Sequence, residues 1–268
     1  MAPNDAEREV PLPGGNANRD LVMRVGDTVR RPLRPTSTAT HALLEHLEAA
    51  GFTGAPRFLG IDRSGREVLT YIRGDVPLPP YPDWALTDEA LASVARLLDS
   101  LLAAVADFNP NPHSWARDVP DEFRTELVTH NDPKPENFVF RDGAAVALLD
   151  FDLAAPGSRL WEAATAARHW VPLRHEDDIH DRRRGRAADR LRLFLDNFHL
   201  QETDRARFGH AVKLSHDWGY HDVLEGVVGG HPGFTHYWEQ VHNRARRTRR
   251  WYDQHEQALT NMALTQPT

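Results

Sequence analysis

The sequence of 268 residues contains no cysteine. Without thiols the chain cannot form disulfides, use a thiol nucleophile or bind a metal through thiolates. No stretch approaches the roughly 18 consecutive apolar residues that a membrane-spanning helix needs. The first residues also lack the basic-then-apolar order of a signal peptide. We therefore expect a cytoplasmic protein that does not bind a membrane.

Several other signals of function are missing. No G-x-S-x-G elbow occurs, which removes the commonest sign of a hydrolase. The 15 histidines form no convincing H-x-x-x-H pair on a helix, so a zinc site is not expected. With 32 basic and 39 acidic residues, the net charge of −7 argues against a nucleic-acid partner. The arginine-rich stretch 244–250 has acidic residues on both sides and is interpreted as a solvent-exposed face.

The residues that are present predict an α+β fold with two lobes. Hydrophobic residues make up 40% and charged residues 26%, which is typical of a globular chain. Residues 1–75 read as a small strand-rich lobe, with one helix that begins at Thr38 or Thr40 and ends near Ala50. A proline-rich connector, 76–82, opens a larger lobe, 76–268, which is mostly helical and begins with a helix over 87–108.

The most informative segment is H-N-D-P-K-P-E-N at 130–137, followed by D-F-D at 150–152. Between them, Arg141-Asp142-Gly143 predicts a tight turn between two strands. Such a hairpin places Asn137, which precedes its first strand, beside Asp150, which follows its second. Asp132 lies one short loop upstream, with Lys134 next to it.

This set of side chains suits phosphoryl transfer. Carboxylate and amide oxygens bind Mg²⁺, which fills its remaining positions with phosphate and water. Phosphoryl transfer needs such a metal, a carboxylate near the attacking hydroxyl and a cation near the phosphate. Asp132 is the candidate base, Asn137 and Asp150 are the candidate metal ligands, and Lys134 is the candidate phosphate contact.

The same residues carry a family resemblance. H-N-D-P-K-P-E-N followed by D-F-D resembles the catalytic loop and metal-binding aspartate of the kinase superfamily. Protein kinases continue with a long activation segment, whereas here Ala154-Ala155-Pro156-Gly157 leads almost at once into a helix. The chain therefore looks most like the aminoglycoside phosphotransferase family of small-molecule kinases. This resemblance implies a protein-kinase-like fold with the active site between the lobes.

In this family a cation on the third strand faces the nucleotide phosphates. Strand alternation favours Arg31 for that role, with Arg30 as the second choice. The family usually has a lysine there and pairs it with an acid early on the small-lobe helix. The corresponding positions here are near Thr40 and His41, and Glu45 and Glu48 stand one or two turns later.

The resemblance also implies nucleotide contacts through the backbone. Gly14 and Gly15 are a weak match to the glycine-rich loop that approaches the phosphates. The segment 67–74 resembles the hinge that contacts adenine, which assigns the Thr70 carbonyl and the Ile72 amide to the base.

Other positions near the motif admit two readings. His130 is interpreted as a structural histidine that braces the loop, with a proton shuttle as the alternative. Asp152 is either a contact to a second metal or a surface or cap residue, and Glu162 stands where the family often has an aspartate. The acidic stretch 176–181 is interpreted as a solvated loop, or else it attracts a cationic acceptor.

The predicted activity is transfer of the γ-phosphoryl group of ATP or GTP, with Mg²⁺, to a hydroxyl of a small molecule. The resemblance suggests an aminoglycoside-like antibiotic as acceptor. A choline-like alcohol, a sugar or an amino-acid alcohol is the alternative. A second hypothesis is a nucleotide-binding pseudokinase without turnover. The sequence does not indicate an oligomeric state.

Overall fold

The computed structural model describes residues 8–12 and 21–265. Its first part is an antiparallel sheet of five strands in the order β1-β2-β3-β5-β4. One helix, α1, connects β3 to β4. These elements are β1 (Glu9–Pro11), β2 (Met23–Val25), β3 (Thr28–Pro32), α1 (Ser37–Ala49), β4 (Phe58–Ile61) and β5 (Arg66–Thr70).

Helix α1 forms where the apolar spacing predicts it. Leu43, Leu44 and Leu47 are buried on one face, against the core. The helix begins slightly earlier than predicted, at Ser37, whose hydroxyl accepts a hydrogen bond of 2.9 Å from the Arg34 amide. The chain turns away at Gly51, which has φ +74°, a conformation that glycine adopts at little cost.

The remainder of the chain is mainly helical. Two small antiparallel pairs, β6 with β9 and β7 with β8, lie among the helices. The elements are α2 (Asp88–Ala104), β6 (Leu127–Thr129), β7 (Phe138–Arg141), β8 (Ala144–Leu148), β9 (Ala155–Gly157), α3 (Arg159–Trp170), α4 (Ala187–Asp196), α5 (Glu202–Arg205), α6 (Phe208–Val228) and α7 (Pro232–Leu264). About 50% of the structure is helical, and the predicted α+β fold is confirmed.

The segment after β5 is tied directly to the β7–β8 hairpin. Asp75 and Phe140 exchange backbone hydrogen bonds of 2.9 and 2.8 Å. Gly74 has φ +150°, and a Cβ there would lie 2.5 Å from the Phe140 carbonyl oxygen. Only glycine therefore lets the chain pass so close to β7. The boundary between lobes at 75/76 stays a prediction.

The core of the larger part is built around α2. Its apolar positions Leu91, Val94, Leu98 and Leu101 are almost completely buried. Thr87 caps the helix by accepting a hydrogen bond of 3.1 Å from the Ala90 amide. Among the described residues, none of the helices combines the length and apolar character that crossing a membrane would need.

Candidate functional site

The β7–β8 hairpin joins the two halves of the motif. Its register pairs Phe138 with Leu148, and the turn at Asp142 and Gly143 has positive φ at both residues, 51° and 78°. Beyond the paired strands, the Leu149 amide donates a 2.7 Å hydrogen bond to the Asn137 carbonyl. Asp150 therefore follows directly on the residue that is bonded to Asn137, as the turn predicts.

Asp132, Lys134 and Asn137 form one contact group. The Lys134 ammonium lies 2.5 Å from Asp132 Oδ2. Asn137 Nδ2 donates to the Asp132 carbonyl at 2.8 Å and to Asp132 Oδ2 at 3.0 Å. Burial acts to lower the pKa of Lys134, but the carboxylates of Asp132 and Asp150 outweigh it and raise that pKa. Lys134 is therefore a fixed positive charge at this point.

His130 supports the Asp132 loop through two hydrogen bonds. Its Nδ1 accepts a hydrogen bond of 3.2 Å from the Asp132 amide, and its Nε2 lies 2.8 Å from the Leu149 carbonyl oxygen. A neutral ring with the proton on Nε2 makes both hydrogen bonds. Burial also lowers the pKa of His130, which favours the neutral form. The ring thus connects the Asp132 loop to the end of β8.

Glu162 of α3 holds the same loop from the other side. Its fully buried carboxylate accepts hydrogen bonds from the backbone amides of His130 and Asn131, at 3.1 and 3.2 Å. Asn131 has φ 68°, so the chain turns sharply there. Burial raises the pKa of Glu162 to about 7.

This pKa predicts a specific pH dependence of stability. In the folded protein the pKa of Glu162 is about 7, against an ordinary value of 4.5. Between these values the unfolded chain has lost the proton that the folded protein still holds, so the free energy of unfolding falls as the pH rises. A shift of this size corresponds to a loss of about 3 kcal/mol. Glu162→Gln keeps an oxygen acceptor and should lack this loss.

Urea unfolding of both proteins across this pH window measures the difference. Subtracting one profile from the other cancels the titration of every other group. Parallel profiles would show that Glu162 does not titrate in this range.

Arg31 on β3 lies among three carboxylates, and its side chain is 10% exposed. Its Nε is 2.7 Å from Glu67 Oε1, its Nη1 is 3.3 Å from Asp150 Oδ1, and its Nη2 is 2.7 Å from Asp152 Oδ1. Although burial opposes it, these carboxylates raise the pKa of Arg31. The strand cation therefore connects the sheet to the residues that follow β8.

Glu67 is the acidic partner that the sequence analysis does not identify. It lies opposite Arg31 in the β3–β5 register, and its side chain is 1% exposed. His41 of α1, which stands near the position where the family usually has an acid, contacts Glu67 at 2.8 Å and stacks on Phe58. The acid thus comes from a neighbouring strand and not from the helix. A predicted register for β5 would be needed to find it.

Asp150 and Asp152 share the cations of β3 and of the turn after it. Asp152 Oδ2 lies 2.6 Å from Arg34 Nε, so Asp152 forms ion pairs with two arginines. Burial and the charge of Asp150 raise the pKa of Asp152. Burial also acts to raise the pKa of Asp150, but Arg31 and Lys134 outweigh it and lower that pKa. Asp150 therefore stays ionised.

Asp150 adopts a strained conformation that leaves its side chain accessible. Its φ of 61° and ψ of 68° lie in the left-handed region, which non-glycine residues enter at a cost. The side chain is 44% exposed, compared with 11% for Asp152. Asp150 is therefore the carboxylate of this pair that a ligand can reach.

Four other residues are predicted to contact the nucleotide, and the structure describes two of them, Thr70 and Ile72. Thr70 and Ile72 line a cavity of about 350 Å³ beside three arginines, Arg57, Arg73 and Arg141. The Thr70 amide donates a 3.0 Å hydrogen bond to the Arg57 carbonyl, on the β4 side of the sheet. Their contacts to adenine stay predictions. Gly14 and Gly15 lie outside the described residues.

The available ligand atoms suit Mg²⁺ better than they suit a metal ion whose ligands all come from the protein. In the described residues, no three or more His, Cys, Asp or Glu side chains are grouped to hold a metal ion. Asn137 Nδ2 is bonded to Asp132, and no described residue forms a hydrogen bond with Oδ1 of Asn137, which can therefore accept a ligand. One amide oxygen and the accessible Asp150 carboxylate suit Mg²⁺, which takes few protein ligands and completes its shell with phosphate and water.

Comparisons with known proteins identify the family of the chain. Residues 113–195 match the model of the phosphotransferase enzyme family. The trifolitoxin immunity protein of Rhizobium leguminosarum bv. trifolii is 35% identical over 227 residues, which cover 81% of this chain and 83% of that protein.

Solved structures show the same fold at low identity. A choline/ethanolamine kinase family protein from Mesorhizobium loti superposes with a TM-score of 0.65 at 16% identity, covering 98% of this chain and 94% of that one. An aminoglycoside phosphotransferase from Alicyclobacillus acidocaldarius gives a TM-score of 0.54 at 13% identity, covering 96% and 93%. The predicted kinase-like fold is confirmed.

Proposed function

Since the chain belongs to the phosphotransferase enzyme family, we propose that it transfers the γ-phosphoryl group of ATP or GTP to a hydroxyl group of a small molecule. The observation that carries this proposal is the contact group of Asp132, Lys134 and Asn137 next to Asp150. These are the side-chain types that phosphoryl transfer needs, in one place.

Asp132 is the residue that receives the acceptor hydroxyl. Its Oδ2 is engaged by Lys134 and Asn137, which leaves Oδ1 as the atom toward the hydroxyl. As the hydroxyl oxygen bonds to the γ-phosphorus, the bond from that phosphorus to the bridging oxygen breaks, and ADP or GDP leaves. The hydroxyl proton passes to the Asp132 carboxylate. Lys134 and Asn137 fix the carboxylate in the orientation that this step requires.

The neighbouring charges serve the phosphates. Asn137 Oδ1 and Asp150 would hold Mg²⁺, which when bound supplies positive charge against the nucleotide phosphates. Lys134 is the nearby side chain that adds to this charge. Arg31 is held by Glu67, so one face of its guanidinium is fixed toward Asp150 and Asp152. Because this cation is already fixed, its reorganisation during the reaction costs little free energy.

The acceptor proposed is an antibiotic-like compound. By its name, the curated relative confers immunity to trifolitoxin, and phosphorylation of a hydroxyl is one way to inactivate a toxic small molecule. The alternative is a kinase of a small metabolite alcohol.

A second candidate is a nucleotide-binding protein without turnover. The observation that favours it is the position of Arg31, whose three donor nitrogens already face carboxylates. A phosphate group would have to compete with Asp150 and Asp152 for this cation.

Two measurements on the purified protein separate these functions. Thermal melting with ATP or GTP should show a stabilisation that depends on Mg²⁺. Release of ADP or GDP should then rise when a suitable hydroxyl compound is added from a panel of antibiotics and metabolite alcohols. Stabilisation without nucleotide consumption on any compound would favour the silent protein. The absence of both would contradict nucleotide binding altogether.

A further inference from the structure

The C-terminal end of α3 lies against the Asp132 loop. The indole Nε1 of Trp170 donates a 2.9 Å hydrogen bond to the Pro133 carbonyl. Pro133 stands between Asp132 and Lys134, so this bond fixes the end of the helix beside both. Arg168 and His169 precede Trp170 in α3, and the charges of Lys134 in the loop and of Arg168 both act on His169.

Arg168 occupies a place that a glycine on α6 leaves open. A Cβ at Gly219 would lie 2.8 Å from Nη2 of Arg168 and 3.3 Å from its Cζ. The guanidinium is thus packed on the backbone of α6. Tyr220 follows Gly219, and its ring centroid lies 5.0 Å from that of His216, which in turn contacts Tyr252 of α7 at 5.4 Å.

Four buried side-chain atoms of α3, α6 and α7 in this region have no hydrogen-bond partner among the described residues. Such atoms are rare in folded proteins, and each one calls for an explanation such as a bound ligand or water. Every one of the four can donate a hydrogen bond. They are Arg168 Nε, His169 Nε2, His216 Nε2 and the Tyr252 hydroxyl.

The charge of the region is positive. Within the part of the chain that the structure describes, no carboxylate forms an ion pair with Arg168 or with Arg174. Burial lowers the pKa of His169 well below its ordinary value, and Arg168, Lys134 and Arg174 lower it further. Glu136, an acid of the same loop, accepts a 3.1 Å hydrogen bond from Tyr81, and burial raises its pKa.

The acidic residues that could bind a cationic acceptor form ion pairs with arginines instead. They lie in the stretch 176–181 and near the middle of α6. Three of them form close ion pairs with an arginine: Asp178 with Arg247, Asp181 with Arg183, and Asp217 with Arg249, each at 2.7 Å. Glu176 and Asp177 lie 3.8 and 3.6 Å from Arg184. The interpretation that 176–181 attracts a cation is therefore not favoured.

We propose that the acceptor carries an anionic group, a carboxylate or a phosphate, which binds at the surface formed by Arg168 and Arg174 while the acceptor hydroxyl faces Asp132. This inference rests on the proposed function and names its substrate class. Arg168 and Arg174, whose charges both act on His169, form no ion pair with a carboxylate among the described residues, so they can recognise an oxyanion through charge-assisted hydrogen bonds. The same surface repels a polycationic aminoglycoside.

Binding of sulfate and of inorganic phosphate tests the anion site without catalysis. Calorimetric titration of the nucleotide-free protein should detect binding of these anions. Loss of one charged contact should weaken it by about tenfold or more in Arg168→Met and in Arg174→Met. Arg246→Met is the matched control, because Arg246 is exposed on α7 and forms no ion pair among the described residues.

Gly219→Ala provides a variant whose fold is not at risk. Alanine favours a helix more than glycine does, and its Cβ displaces only the Arg168 guanidinium. It should weaken anion binding in the same direction as Arg168→Met. Anion affinity that is absent in the natural protein, or equal in all four variants, overturns the proposal.

A panel of matched acceptors then identifies the anionic group. With Mg²⁺ and ATP, release of ADP is compared for glucose, gluconate and glucose 6-phosphate, for choline and carnitine, and for kanamycin. A higher kcat/KM for the anionic member of a set supports the proposal. Comparing kcat/KM for gluconate and glucose 6-phosphate then distinguishes a carboxylate from a phosphate. Preference for choline or kanamycin contradicts it. If no compound is phosphorylated, the proposed function fails, while the anion titration still decides the inference.

Discussion

Replacing Asp132 by asparagine should lower the rate of phosphoryl transfer by about 10²- to 10⁴-fold, the range over which a positioned general base contributes. The amide cannot accept the hydroxyl proton, although it has nearly the same shape. Lys134 and Asn137 both contact Asp132 Oδ2, so their positions should change little. Nucleotide release measured with saturating acceptor checks kcat, and calorimetry checks that nucleotide affinity is retained.

Asp142→Asn is the matched control for this substitution. Asp142 is exposed in the β7–β8 turn, and its φ of 51° is one that asparagine tolerates well. This variant should keep full activity. If Asp132→Asn is as active as Asp142→Asn, Asp132 does not take the proton.

Replacing Arg31 by methionine should lower the free energy of unfolding by about 3–5 kcal/mol, the usual cost of removing one partner from a buried ion pair. The side chains of Arg31 and Glu67 are 10% and 1% exposed, so water cannot replace the lost contact at Glu67. Asp150 and Asp152 would also lose their shared cation. Urea unfolding measures the loss.

Two further variants test whether the effect belongs to the network. Arg31→Lys should fall between the natural protein and Arg31→Met, because an ammonium group cannot contact all three carboxylates in the arginine geometry. Arg63→Met, in the exposed turn between β4 and β5, should leave stability unchanged. Equal stability of Arg31→Met and Arg63→Met would show that the three ion pairs contribute nothing.

Local signals in the sequence predict the parts of the site that lie close together along the chain. The turn at Gly143 fixes the hairpin, and the hairpin fixes Asn137 relative to Asp150. The bracing role of His130 depends on the same hairpin, since its contacts are the Asp132 amide in the adjoining loop and the Leu149 carbonyl after β8. Helix α2 forms in the predicted place because its apolar residues repeat at helical spacing, although it ends at Ala104 and not at residue 108.

Contacts between distant segments are not predictable from these patterns. Glu67 contacts Arg31 because β5 pairs with β3 in the sheet, although α1 and β4 separate these strands along the chain. A single sequence does not reveal the register of such a pairing. The arginine surface of the larger lobe is a similar case. Arg168 lies on α3, Gly219 on α6 and Tyr252 on α7, and only the packing of these helices brings them together.

We infer that Asn137 and Asp150 form one ion site beside Asp132. Calorimetry of ADP binding with and without Mg²⁺ tests this site. In the natural protein and in Asp142→Asn, Mg²⁺ should strengthen ADP binding. In Asp150→Asn and Asn137→Ala this strengthening should disappear while the proteins stay folded. An equal effect of Mg²⁺ on all four proteins would contradict the claim.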